Sequence, residues 1–252
     1  MTRWLVYSWR VFIKWLSFGI FGLGTILLVT VVFPPMRLFF HPCRRFQKKA
    51  RFLVSLSFRL FVGIMTLLGD LKLDAGARSA YRNLKSKIIA ANHPSLLDVV
   101  MLISLIPNAD CIVRSGLSKT IVNGVIRQLY IPNDLNFEQV MADCIASLND
   151  GNCIIIFPEG SRTPRTGPSI YKKGAVRLSM ASLCGIVPIH IGGNDKYGLG
   201  KKDPWTAFNP REKYIYRIRI KPELSPEKYL AEGHIMGIKH YNQELQQVLM
   251  ND

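Results

Sequence analysis

The chain has 252 residues, enough for one catalytic domain of about 180 residues with a sizeable core and an N-terminal extension. Its formal net charge of +16 favours an anionic partner, either nucleic acid or a phospholipid surface. The five cysteines lack paired spacing, which argues against a disulfide scaffold and predicts reduced thiols in a cytoplasmic compartment. No group of His, Cys and carboxylate residues has metal-ligand spacing, so we predict no metal site.

The first 69 residues are basic and apolar. They contain ten Lys or Arg residues and no acid, and the first carboxylate is Asp70. Residues 15–33 are uncharged and mostly apolar, with a helical length of about 28 Å, close to the thickness of a bilayer core. We expect Pro34 and Pro35 to end this helix. A signal peptide or a buried soluble helix is the alternative.

A second apolar stretch, residues 52–69, carries Arg59 at its middle. Residues 37–51 before it contain six basic side chains, which by the positive-inside rule face the cytoplasm. An interfacial helix is favoured over a second membrane span, because the leucine-rich stripe and the polar residues fall on different sides. The stripe consists of Leu53, Leu56, Leu60, Ile64 and Leu67. The sequence therefore predicts membrane-anchoring helices over residues 1–69 and a catalytic domain over residues 70–252.

Residues 70–252 alternate strand and helix signals. Strands are predicted at LKLDA, KIIAA, ADCIV, CIIIF and VPIHI, and a strand with one polar face at YIYRIRIK. Helices are predicted near residues 95–106, 115–129, 136–149, 174–184 and 226–250. Apolar strands without clean alternation indicate a sheet covered on both faces, so the fold class is α/β.

The stretch ANHPSLLDVV, residues 91–100, suggests general-base chemistry. It follows an apolar strand and begins a helix, with His93 in the turn and Asp98 in the first helical turn. Five residues within one helix turn through about 500°, so the two side chains can meet only if His93 precedes the helix. A carboxylate at that point would fix the imidazole tautomer and leave the other nitrogen to accept a proton. A turn histidine beside a capping aspartate is the alternative.

The stretch CIIIFPEGSRTPRTG, residues 153–167, is a second strand that ends in a polar turn. The turn carries Glu159, Gly160, Ser161, Arg162 and Arg165. Strand ends of this kind line the ligand crevice of an open α/β sheet. A glycine beside arginines allows a phosphate to approach the backbone while a guanidinium binds it. A solvated basic loop is the alternative.

Together these two stretches resemble the glycerolipid acyltransferase family, which includes the 1-acylglycerol-3-phosphate acyltransferases. The family's first motif, His-x4-Asp, is matched by His93 and Asp98, and its third motif by FPEGSR, residues 157–162. A basic residue is expected about twenty positions after the histidine, where Arg114 lies. The second motif departs from the family pattern, since the segment YIPND replaces an arginine-ended run. The resemblance covers roughly residues 70–195.

The resemblance implies an αβ sandwich with an N-terminal hydrophobic helical anchor. His93 would be the general base and Asp98 its orienting partner. Arg162, with Arg114, would hold the acceptor's phosphate. A further set would shape the acceptor site: Glu159, Gly160 and Ser161.

The implied enzyme is an O-acyltransferase of phospholipid biosynthesis that requires no cofactor. Its acyl donor would be acyl-CoA or acyl-carrier protein, and its acceptor a lysophospholipid, with 1-acylglycerol-3-phosphate favoured. It would contact the phospholipid bilayer of the inner (cytoplasmic) membrane, with its catalytic domain on the cytoplasmic face.

Several alternatives stay open. Other acceptors are glycerol-3-phosphate, which the RTPRTG segment suits, a lyso-ornithine lipid, an aryl-polyene-type lipid and a lipid A precursor. A non-catalytic lipid-binding protein would keep the same groove. Nucleic-acid binding is disfavoured, because aromatic and basic residues do not interleave.

Overall fold

A seven-stranded sheet organises the part of the chain that the computed structural model describes, residues 2–40, 43–113, 130–132, 136–204, 206–210 and 212–250. The strand order is β1-β7-β6-β2-β5-β3-β4, parallel except for the antiparallel β6–β7 pair. The strands are β1 (Leu71–Asp74), β2 (Ile88–Ala91), β3 (Ala109–Val113), β4 (Tyr130–Pro132), β5 (Cys153–Ile156), β6 (Ile186–Gly193) and β7 (Tyr214–Ile220).

The central strand β2 explains why both motifs meet. All four of its residues are buried, and Ile88 pairs with Ile154 on β5 and with Ile186 on β6. A strand covered on both faces must be apolar throughout, as the run IIAA is. Because β2 and β5 are parallel neighbours, the turns that follow them lie at the same edge of the sheet.

Helices cover both faces of the sheet, which confirms the predicted α/β sandwich with an N-terminal apolar helix. Helices α1, α3 and α5 contribute to the core on one face, and α6, α7 and α9 to the core on the other. The predicted helix over residues 115–129 lies outside the described residues. The helices are α1 (Thr2–Leu27), α2 (Phe33–Phe39), α3 (Cys43–Leu67), α4 (Arg78–Arg82), α5 (Asp98–Leu105), α6 (Phe137–Asn149), α7 (Gly174–Ser182), α8 (Glu227–Leu230) and α9 (His234–Met250).

The prediction that Pro34 and Pro35 end the first helix is wrong. A π-helical segment, Leu28–Val32, joins α1 to α2, and both prolines lie in the first turn of α2. The Phe33 amide donates to the Leu28 carbonyl, which widens the helix by one residue just before the prolines. Proline is tolerated at the start of a helical turn, where its missing N–H would have no partner.

Two helical stretches, Trp4–Phe39 and Arg45–Leu67, are long and apolar enough to cross a membrane. The apolar window of the first is 17% buried and that of the second 39%. Within the predicted stripe on α3, Leu56, Leu60 and Leu67 are exposed. These apolar surfaces favour membrane association.

The opposite side of α3 packs against the α/β sandwich. Ser55 Oγ donates to the Ile103 carbonyl of α5 at 2.7 Å. Arg51, one of the basic residues of the 37–51 segment, forms a bidentate ion pair with Asp110 at the buried end of β3. Helix α3 and the α/β sandwich therefore share one core, and the predicted boundary between residues 69 and 70 remains a prediction about independent folding.

Candidate active site

His93 and Asp98 meet at the start of α5. The helix begins at Asp98, and His93 precedes it, so the imidazole lies over the helix end and its Nδ1 is 2.8 Å from Asp98 Oδ2. The Asp98 side chain is fully buried. Its two oxygens accept hydrogen bonds from the Ser95 amide at 2.7 Å and the Ser95 hydroxyl at 2.6 Å. These bonds hold the carboxylate in the position that orients the imidazole.

Two side chains that the sequence did not single out lie behind this pair. Ser95 Oγ is 2.8 Å from the hydroxyl of Tyr216 on β7, and burial raises the pKa of Tyr216 well above its ordinary value. Lys196 Nζ lies 4.9 Å from the centroid of the Tyr216 ring. The S-x-x-D spacing of Ser95 and Asp98, which lets the serine amide and hydroxyl both donate to the carboxylate, is a local signal that could have been found in the sequence. Tyr216 and Lys196 carry no comparable signal.

Lys196 is a buried cation, with a relative exposure of 4%. Burial lowers the pKa of Lys196 to about 8, and the negative charge of Asp98 opposes that shift. Its ammonium donates to the carbonyls of Gly192 and Asn194. Lys196 is therefore a charged group in the wall behind the His93–Asp98 pair.

We expect the stability difference between the wild type and Lys196→Met to depend on pH. The unfolded chain keeps the lysine proton up to its ordinary pKa of 10.5, whereas the folded chain releases it near 8. The unfolded state thus binds more protons in that window, so wild-type stability rises with pH relative to the variant. Melting temperatures in detergent across this range measure the effect. The exposed Lys213 gives the control, Lys213→Met, and a pH-independent Lys196→Met difference would contradict the expectation.

Glu159 joins the turn after β5 to the turn after β2. Its Oε1 accepts from the His93 amide at 3.2 Å and from Thr163 Oγ1 at 2.6 Å, and its Oε2 accepts from Ser169 Oγ at 2.6 Å. The Thr163 amide in turn donates to the His93 carbonyl at 2.7 Å. Glu159 is buried and bonded through both oxygens to protein groups, so it holds the His93 backbone in place.

The His93 imidazole also stacks on the ring of Phe157, which begins the turn after β5. The His93 and Phe157 ring centroids are 4.2 Å apart, with an interplanar angle of 24°. With one ring edge bonded to Asp98 and one face covered by Phe157, the imidazole has little rotational freedom.

Arg162 bonds to the loop after β6, residues 194–203. Its Nη1 donates to the carbonyls of Leu199 at 3.0 Å and Gly200 at 2.7 Å. The Leu199 carbonyl also accepts from the Leu96 amide at 2.9 Å. Arg162 does not form an ion pair with Glu159, whose two oxygens accept from His93, Thr163 and Ser169.

Neighbouring residues of the turn after β5 make further contacts with other parts of the chain. Gly160 has φ of +64°, and an added Cβ would lie 2.9 Å from the Lys172 side chain. Ser161 Oγ accepts from Lys201 Nζ at 3.0 Å. Arg165 forms ion pairs with two acids of the 194–203 loop. Arg114, predicted to bind phosphate, lies outside the described residues.

A cleft of about 980 Å³ at the carboxyl edge of the sheet is bordered by His93, Phe157, Gly160, Ser161 and Arg162. His93 lies in its wall, and cationic side chains and apolar side chains form much of the rest. The cations are Arg10, Lys14, Arg162, Lys172 and Lys201. Apolar residues from both sides of the sheet include Phe18, Phe21, Phe61 and Met65 from α1 and α3, and Val140, Met141, Ala175 and Leu178 from α6 and α7. Such a cleft fits an amphipathic ligand with an anionic head group.

Comparisons with known proteins agree with this geometry. Residues 77–192 match the family described as Acyltransferase. A comparison with curated protein sequences returned no match. Solved structures similar to the chain include the crystal structure of the 1-acyl-sn-glycerophosphate (LPA) acyltransferase PlsC from Thermotoga maritima, with a TM-score of 0.63 and 17% identity. That alignment covers 98% of this chain and 93% of the other. The chain therefore resembles the Acyltransferase family over residues 77–192 and shares the fold of that crystal structure.

Proposed function

We propose that this acyltransferase moves a fatty acyl group from acyl-CoA or acyl-carrier protein to the hydroxyl of a lysophospholipid, 1-acylglycerol-3-phosphate, in phospholipid biosynthesis. The observation that carries the proposal is the His93–Asp98 contact in the wall of a cleft that combines apolar surface with cations. The protein of similar fold from Thermotoga maritima is described as an acyltransferase for that acceptor.

The chemistry follows from the His93 tautomer. With the Nδ1 proton donated to Asp98, Nε2 accepts the proton of the acceptor hydroxyl. The hydroxyl oxygen attacks the thioester carbonyl carbon, the C–O bond of the new ester forms, and the C–S bond breaks. The departing thiolate then takes this proton from Nε2, which returns His93 to its neutral form. Because a thiolate is already a good leaving group, a neutral general base suffices and no acyl-enzyme is needed.

The cations of the cleft support a phosphate-bearing acceptor. Arg162, Lys172 and Lys201 border the same space as His93. Arg162 uses Nη1 for the loop carbonyls, which leaves the Nε–Nη2 edge of its guanidinium as a bidentate donor for phosphate. Glu159, Gly160 and Ser161 would shape this acceptor site, and Arg114 is proposed as a further phosphate ligand.

The apolar helices support a membrane location. We place the exposed faces of α1 and α3 in the inner membrane and the catalytic layers on its cytoplasmic side, since residues 37–51 are basic. This location would bring a lysophospholipid acceptor from the bilayer into the cleft.

The proposal is tested by transfer of a labelled acyl group from acyl-CoA and from acyl-carrier protein to a panel of acceptors. The panel contains lysophosphatidic acid, glycerol-3-phosphate, a lyso-ornithine lipid and a phosphate-free monoacylglycerol. We expect labelled product with lysophosphatidic acid. Preferred labelling of another acceptor would reassign the substrate, and lipid binding without transfer to any acceptor would indicate a binding protein.

Arg162→Lys is expected to reduce catalytic efficiency with lysophosphatidic acid by about 10- to 100-fold, because lysine keeps the charge but loses the guanidinium fork. With monoacylglycerol, which lacks the phosphate, we expect a small penalty. The measurement is kcat/KM for both acceptors, together with the melting temperature. Equal penalties for both acceptors with a lower melting temperature would limit Arg162 to its loop contacts with Leu199 and Gly200.

A further inference from the structure

A second, smaller pocket of about 180 Å³ lies away from His93, between α3 and α4. Three arginines line it: Arg59 from the middle of α3, and Arg78 and Arg82 from α4. Apolar and small side chains, including Val62, Gly63 and Leu105, form other parts of its wall. The residues that line the active-site cleft do not include any of these arginines.

The charge of this pocket is not compensated within the described part of the chain. None of the three guanidinium groups forms an ion pair with a described residue. The carboxylate of Asp74, at the end of β1, binds Arg219 instead, at 2.6 Å. Arg78 and Arg82 also lie close enough to Arg59 for their charges to repel it. A cluster of like charges around one pocket is stabilised by an anion that enters it.

The position of Arg59 identifies the source of that anion. On the same helix Leu60 is 64% exposed and Leu67 87% exposed, so exposed apolar side chains lie next to the pocket residues Arg59 and Thr66. A cation in the middle of an apolar helix is costly at bilayer depth, but at head-group depth it meets phosphate.

We propose that Arg59, Arg78 and Arg82 form a binding site for the phosphate of an anionic bilayer phospholipid, separate from the acceptor site. In this site Arg59 lies at the depth of the lipid head groups, so α3 lies along the membrane interface and does not cross the bilayer. The inference rests on the proposed membrane location but not on the acyl-transfer reaction.

The test uses the full chain in neutral-detergent micelles and labelled phosphatidylglycerol as the probe. Arg78→Gln/Arg82→Gln removes two exposed charges of the pocket, and the control Lys173→Gln/Lys239→Gln removes two exposed charges on the other side of the sheet. We expect phosphatidylglycerol binding to weaken by at least about tenfold in the first variant. Binding should stay at the wild-type level in the control.

Two further measurements make the outcome specific. Acyl transfer to a micellar acceptor should be unchanged in Arg78→Gln/Arg82→Gln, since neither residue borders the cleft, and this also shows that the variant is folded. The Arg162→Lys protein should bind phosphatidylglycerol through Arg78 and Arg82 as the wild type does, whatever the result of the acyl-transfer panel. Equal binding by the pocket and control variants would overturn the site, and displacement of the lipid by millimolar inorganic phosphate would assign it to a soluble anion instead.

Discussion

His93→Ala is expected to lower kcat by about 10²- to 10⁴-fold, the usual contribution of a general base. Asp98→Asn should cause a loss of the same order, because an amide cannot stabilise the imidazolium that forms during proton transfer. Both are measured as acyl transfer from a labelled thioester to lysophosphatidic acid.

The control for this prediction is another histidine with an acidic partner. His240 Nδ1 lies 2.5 Å from Glu232 Oε2 on the surface, away from the cleft. His240→Ala should retain wild-type turnover, and both histidine variants should show unchanged membrane association. Near-normal turnover by a folded His93→Ala protein would remove His93 from the mechanism.

Removal of residues 1–69 is expected to prevent folding, because α3 supplies much of one hydrophobic core. Six of its apolar side chains are buried there: Phe46, Ala50, Val54, Phe61, Val62 and Met65. At roughly 1.5–3 kcal/mol for each large side chain, their loss costs on the order of 10 kcal/mol, which equals the whole stability of a typical domain. The deletion also leaves Asp110 buried without Arg51.

The matched deletion removes residues 1–42 and keeps α3. Among the described side chains of the deleted segment, three apolar ones belong to the buried core, Ile13, Leu28 and Phe33, so this protein should fold in detergent. It should acylate poorly, since α1 forms part of the cleft. Thermal unfolding of both deletion proteins is followed by circular dichroism, and a cooperative transition indicates a folded protein. A folded protein lacking residues 1–69 would instead establish the boundary between residues 69 and 70.

The sequence by itself predicted most of the elements and the two turns of the candidate site. Apolar runs and their spacing are local properties, so strands such as β2 and β5, and the turns after them, could be predicted from short windows. The meeting of His93 and Asp98 was also predictable, since it depends only on where the helix begins. The catalytic roles of these residues remain predictions.

Only the tertiary structure decided which distant groups surround that pair. The strand order places β7 beside β6 and β1, which brings Tyr216 and Lys196 behind Asp98 from more than ninety positions away in the chain. The helix continues past Pro34 by way of the π-helical segment Leu28–Val32. This likewise depends on the packing of the whole N-terminal helix, because proline's local preference is to end a helix. Side-chain periodicity shows which face of an element is apolar, but it contains no information about the partner that covers this face. Strand pairing and helix docking, which act over long sequence separations, therefore determined the network behind His93, the bonds that occupy Glu159 and the pocket around Arg59.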